Sequence, residues 1–168
     1  FAHPTVFLRK DAFMQFDLFY NEGLKSSQDY DLWSRACLKM ECANLKEPLI
    51  FYRSHKESIS QTRRDIQKEN SNQIRKRYLE NLGICFSQDE FKIHNMIANG
   101  EAKNLIGRES EALEWLDKLY LQAREKCIVD AGVFYGVIEQ KKEWVKLYTK
   151  PKILREIGRW LRTAKGRL

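Results

Sequence analysis

The sequence predicts an α+β fold that is predominantly α-helical. Three observations carry this. Short β-rich runs are confined to the first third of the chain; from about Ser60 onward apolar residues recur at helical spacing; and two capping signatures, Ser26 with Asp29 and Ser87 with Glu90, stand directly ahead of periodic stretches.

Residues 5–9 alternate and are rich in β-formers, so they read as a strand, with a short helical turn over residues 10–16. A loop marked by Asn21 and Gly23 leads to Ser26, whose spacing to Asp29 is that of an N-cap. Leu32, Trp33, Ala36, Cys37 and Met40 then repeat at the helical period and define an amphipathic helix. Residues 42–45 and 49–53 read as short strands hinged at Pro48. The polar stretch 61–82 reads as a long helix stopped by Gly83. Ser87 and Glu90 open the next helix, which carries Phe91, His94, Ile97 and Ala98 to a stop at Gly100. Leu113, Leu116, Leu119, Tyr120, Ala123 and Cys127 mark another, residues 133–148 a further one, and Pro151 opens the last. Trp33 and Trp115 fall in apolar patterns and read as core, and His94 reads as a core or interface histidine. No period of 20 to 50 residues repeats, which argues against a solenoid.

A chain of 168 residues suffices for one domain, or for a small domain with an appended subdomain. With 43% hydrophobic and 12% aromatic residues the composition is globular. No run approaches the ~20 apolar residues of a membrane span, and no signal-peptide pattern is present, so the expected compartment is the cytoplasm. Cys37, Cys42, Cys85 and Cys127 lack CxxC spacing and read as free thiols rather than zinc ligands or disulfides.

The formal charge of +7 is unevenly placed: residues 141–168 hold ten Lys/Arg against Glu143 and Glu156, so the excess is a property of the C-terminal end. There Ile153, Leu154, Ile157, Trp160, Leu161 and Ala164 share a helical face that Lys152, Arg155, Arg159, Arg162 and Lys165 flank. One reading is an interfacial helix, with Trp160 at headgroup level and Arg155, Arg159 and Arg162 facing anionic lipid on the inner face of a membrane. The other is that the apolar face docks on preceding helices and the cations are solvated. A pI near 9.2 raises nucleic acid as a partner, but no helix-turn-helix, RNP-like strand or zinc knuckle supports it, so none is expected.

Three segments carry candidate chemistry. In Ser26-Ser27-Gln28-Asp29-Tyr30-Asp31-Leu32-Trp33 two carboxylates enter the first turn of a helix; there they offset the helix dipole or supply a general base. Phe51-Tyr52-Arg53-Ser54-His55-Lys56-Glu57-Ser58-Ile59-Ser60 ends an apolar run in a guanidinium and an imidazole. His55 is either a ligand for a cation or diphosphate, or an exposed loop residue beside a Ser54 and Glu57 cap. His3 precedes Pro4 and is biased to an extended conformation. It reads as a solvent-facing histidine or an acceptor contact.

Together with His3-Pro4-Thr5-Val6-Phe7-Leu8-Arg9, these motifs in this order resemble the second half of a family 2 glycosyltransferase catalytic domain, an inverting enzyme of the GT-A type. The resemblance is specific over residues 3–60. Farther on it is thinner, the helices from Leu82 to Trp144 being similar to the accessory bundle of some bacterial members. It implies a partial GT-A domain over residues 1–62, a helical extension over 63–150 and a basic amphipathic helix over 151–168. It also implies transfer of a sugar from a nucleotide-diphosphate donor to a hydroxyl of a saccharide or lipid-linked acceptor, in bacterial surface polysaccharide synthesis.

By that resemblance Asp29 is the general base, the aspartate of a Glu-Asp-Tyr-Asp-Leu-Trp type motif in which Gln28 replaces the usual glutamate. His55 ligates a divalent cation, Mg or Mn, and Arg53 joins it at the diphosphate; His3 and Asp31 contact the acceptor. The family's nucleotide-binding strands and Asp-x-Asp precede the segment resembling residues 3–9. The donor half is therefore expected upstream of Phe1, and the isolated segment is expected to be inactive. The alternative is a non-catalytic helical binding module whose basic helix meets a membrane or an acidic partner.

Overall fold

The computed structural model describes residues 3–45, 47–51 and 64–150, and every regular element among them is helical. After a 3₁₀ turn at His3–Thr5 come α1 (Lys10–Gln15), α2 (Gln28–Ala36), α3 (Arg64–Asn81), α4 (Gln88–Ala98), a second 3₁₀ turn (Ala102–Leu105), α5 (Glu109–Glu125) and α6 (Ala131–Tyr148). They divide into two compact units, Phe1–Asn81 and Leu82–Leu168.

The α+β expectation, a partial GT-A domain with short strands, is thereby corrected. Residues 5–9 form the end of a 3₁₀ turn and irregular chain, residues 42–45 and 49–51 are irregular, and residues 52 and 53 lie outside the described residues. A strand holds its shape by pairing and by burying one face, so β propensity without a partner does not suffice. These runs bury little: Phe7 is 93% exposed, Leu49 68%, and Phe51 stands fully in solvent.

In the first unit, Leu32, Trp33 and Ala36 share a face of α2 and bury it with Leu18, while Val6, Phe13, Phe16 and Met40 pack around them. α3 packs against α2 and buries Ile74 and Leu79. The expected Ser26 cap takes a different form. α2 starts at Gln28, and the N-cap position is Ser27, held left-handed at φ 63° with no side-chain cap bond. Ser26 is buried because α3 claims it: Asn70 Nδ2 donates to its carbonyl at 3.0 Å and to its hydroxyl at 3.2 Å.

The second unit follows its local signals closely. Ser87 Oγ accepts from the Glu90 N–H at 3.1 Å and the Glu90 carboxylate accepts from the Ser87 N–H at 2.6 Å, so the predicted capping box forms. Lys118 of α5 reaches the same carboxylate at 2.7 Å, tying the head of α4 to α5. Burial pushes the Glu90 carboxyl up, but the bonds from Lys118 and Ser87 outweigh it and hold the group below its ordinary range. Gly100 ends the helix in the left-handed region at φ 72°, as its position predicts.

Trp115, 1% exposed, anchors the core with Ile93, Leu105, Leu116 and Val145. Its ring meets Phe86 and His94 edge-on, and its Nε1 donates to His94 Nδ1 at 3.3 Å. α6 begins at an Asp130 cap, whose carboxylate accepts from the Val133 N–H at 2.9 Å, and Lys142 joins it to Asp117 of α5 at 2.5 Å. Among the described residues no helix is long and apolar enough to cross a membrane. The predicted basic helix after Pro151, with Trp160, Arg155, Arg159 and Arg162, lies outside the described residues.

Gly136 stands inside α6 with helical backbone, and a methyl group there would meet nothing within 4 Å. Gly136→Ala is therefore expected to stabilise the second unit by about 0.5–1 kcal/mol, since only the entropy cost of glycine is removed. Urea denaturation checks this, and an unchanged or lowered midpoint refutes it.

Candidate functional site

The head of α2 gathers the candidate side chains, and the helical period separates its two acids. Residues two apart lie about 200° around the axis, so Asp29 and Asp31 take opposite sides of the helix. Asp29 is half-exposed in the first turn, its Oδ1 accepting from the Tyr30 N–H at 2.8 Å. Asp31 is completely buried. Its Oδ2 accepts from Arg35 Nε at 3.0 Å and pairs with the same guanidinium at 2.9 Å, while its Oδ1 takes the guanidinium of Arg77 on α3. Arg35 also donates to the Phe19 carbonyl at 2.5 Å. One carboxylate thus pins α2 to α3 and to the loop before it, and both of its oxygens are occupied.

Further bonds hold the same end. Ser27 Oγ donates to the Gln67 carbonyl at 3.4 Å and lies 3.5 Å from Ser71 Oγ. The Arg75 guanidinium sits 6.0 Å from the centre of the Tyr30 ring, within cation–π range. The backbone that carries Asp29 is therefore fixed from three positions of α3.

His3 comes to this neighbourhood. Its exposed ring lies 6.2 Å from the rings of Tyr20 and Trp33. Asp29 and Trp33 are one turn apart, so His3 approaches the side of α2 that carries Asp29. Arg53 and His55 lie outside the described residues.

The described residues do not form a site for the divalent cation that the resemblance implies. Asp29 and Asp31 diverge, Asp31 is committed to two arginines, and no group of three or more His, Cys, Asp or Glu converges among the described residues.

Nor does Cys37, at the end of α2, offer a nucleophile at neutral pH. The residue has open surface, yet burial around its sulfur, with the hydrogen bond its thiol gives to Cys42, pushes the thiol up to about 11. Burial also raises the nearby Tyr78 hydroxyl.

Asn70 and Arg77, the residues that seat α2, did not stand out in the sequence. A signal for them exists: Asn70, Ile74, Arg77 and Tyr78 fall at helical spacing, a polar-edged packing face inside a segment that reads as solvated throughout.

No protein-family model, curated protein or solved structure matches the chain.

Proposed function

We propose that this chain carries the acceptor-activating part of an inverting glycosyltransferase, with Asp29 as the general base. The observation that supports it is the division of labour on α2: a half-exposed Asp29 on a turn held rigid by the buried Asp31. A base must be reachable by the acceptor and fixed in place, and Asp29 meets both requirements.

In the reaction an acceptor hydroxyl attacks the anomeric carbon of a nucleotide-diphosphate sugar. Its proton passes to the Asp29 carboxylate, and the bond from the anomeric carbon to the diphosphate oxygen breaks on the opposite face, so the diphosphate leaves with the electron pair and configuration inverts. His3, beside Trp33 and Tyr20, borders the acceptor. Arg53 and His55 are assigned to the departing diphosphate by the resemblance of their segment. Fold and chemistry are separable, so the helical architecture does not decide the matter. It does favour the rival reading, a non-catalytic helical binding module.

Asp29→Asn in the intact enzyme separates the two. The expected result is a fall in transfer of about 10²–10⁴-fold with donor affinity unchanged, the loss typical of a missing general base. Retained turnover removes Asp29 from the mechanism.

A further inference from the structure

Helix α2 ends in a turn that brings two sulfurs together. Cys37 is the C-cap, its N–H bonding the Trp33 carbonyl at 3.0 Å, and the Lys39 and Met40 N–H groups both return to the Ala36 carbonyl, at 2.9 and 3.0 Å. The chain thereby folds back at the end of the helix. The Cys37 thiol gives a hydrogen bond to Cys42, and Cys42 Sγ in turn donates to the Met40 carbonyl at 3.7 Å. Both sulfurs also act electrostatically on the Tyr78 hydroxyl of α3, so the pair stands at one place. Both cysteines are free and exposed, open to a small reagent.

We propose that Cys37 and Cys42 form a reversible redox staple, closed to a disulfide by a low-molecular-weight disulfide such as oxidised glutathione. The Cys42 thiolate attacks one sulfur of the oxidant, whose S–S bond breaks and whose other half leaves as a thiolate. Cys37, as thiolate, then attacks the Cys42 sulfur and displaces the second half. Two electrons pass from the cysteine pair to the oxidant, and the two cysteine protons end on the two thiols released. Burial, the hydrogen bond to Cys42 and the charge of Cys42 hold the Cys37 proton in the reduced state; capping Cys42 ends the last two while burial stays, so ring closure is the slow step.

The closed ring spans residues 37–42. Inside it lie Lys39, whose Nζ donates to the Phe16 carbonyl at 3.1 Å, and Met40, which packs on the core of Leu18, Leu32, Trp33 and Ala36. Oxidation fastens the end of α2 to that core, and reduction releases it. By linkage, fold and disulfide favour each other by the same factor. The inference is independent of the role assigned to Asp29.

The test is equilibration of the full chain with reduced and oxidised glutathione at about pH 8, where thiolate is available, natively and in urea, followed by acid quench, alkylation and mass spectrometry. A Cys37–Cys42 disulfide is expected, with an equilibrium constant about tenfold higher in the native chain than in urea. In the oxidised form the Lys39 and Met40 amides should exchange about tenfold more slowly. A native constant no higher than that in urea overturns the proposal, since closeness in sequence alone then makes the pair. So does a disulfide that engages Cys85 or Cys127 in its place, or a pair that stays reduced in excess oxidised glutathione. Cys37→Ser should trap glutathione on Cys42, and an unmodified Cys42 in that variant overturns the order of attack.

Discussion

Asp31→Ala lowers the stability of the first unit by about 3 kcal/mol, the low end of the range for breaking a buried ion pair. The low end applies because the stranded partners regain water: the side chains of Arg35 and Arg77 are 28% and 43% exposed while that of Asp31 is 1% exposed. What is lost is the tie between α2, α3 and the Phe19 loop, so the effect concentrates where that tie acts. Amide hydrogen exchange reads it directly, as faster exchange across Gln28–Ala36 than in the parent. Asp29→Ala is the control. Its half-exposed carboxylate bonds only its neighbour's N–H among the described residues, and its removal should stay within about 0.5 kcal/mol. Equal losses at the two positions would refute the anchoring role of Asp31.

Trp115→Ala costs the second unit about 3–5 kcal/mol, the usual range for emptying an aromatic site in a packed core. The ring is 1% exposed and contacts Phe86 and His94, so no surface relaxation fills the space. Removing the indole also leaves His94 Nδ1 without the N–H it accepts at 3.3 Å. Trp115→Phe separates the contributions: it keeps most of the packing and should lose about 1–2 kcal/mol, for reduced volume and the missing hydrogen bond. Thermal unfolding followed through the amides of Glu109–Glu125 measures both, and a Trp115→Ala loss below that of Trp115→Phe would overturn the assignment of Trp115 as the core anchor.

The helices of the second unit were legible because their signals are local. A capping box, an apolar period and a glycine stop all lie within one segment, and Ser87, Glu90 and Gly100 act as their spacing predicts. The predicted strands failed for the opposite reason. Pairing is a non-local condition, and residues 5–9 and 49–51 satisfy it nowhere in the described structure. The Ser26 cap was lost to a partner 44 residues away, Asn70, which no local pattern announces.

The candidate site was legible in part. Asp29 stands at the head of a helix as its motif suggests, while Asp31 defied its helical position. The period places residue 31 away from the Leu32, Trp33 and Ala36 face, which ordinarily means solvent, and only the arrival of α3 turns that side inward. Its burial with two arginines is a tertiary fact.

That triad has a consequence for how the chain can drift over generations. Positions 31, 35 and 77 are coupled electrostatically, so the cost of a neutral side chain at 31 falls when both guanidinium groups are replaced together by apolar ones of similar bulk. Residue 29 is under no such bond of fellowship: its carboxylate meets only the Tyr30 N–H among the described residues, so it can change without disturbing either arginine.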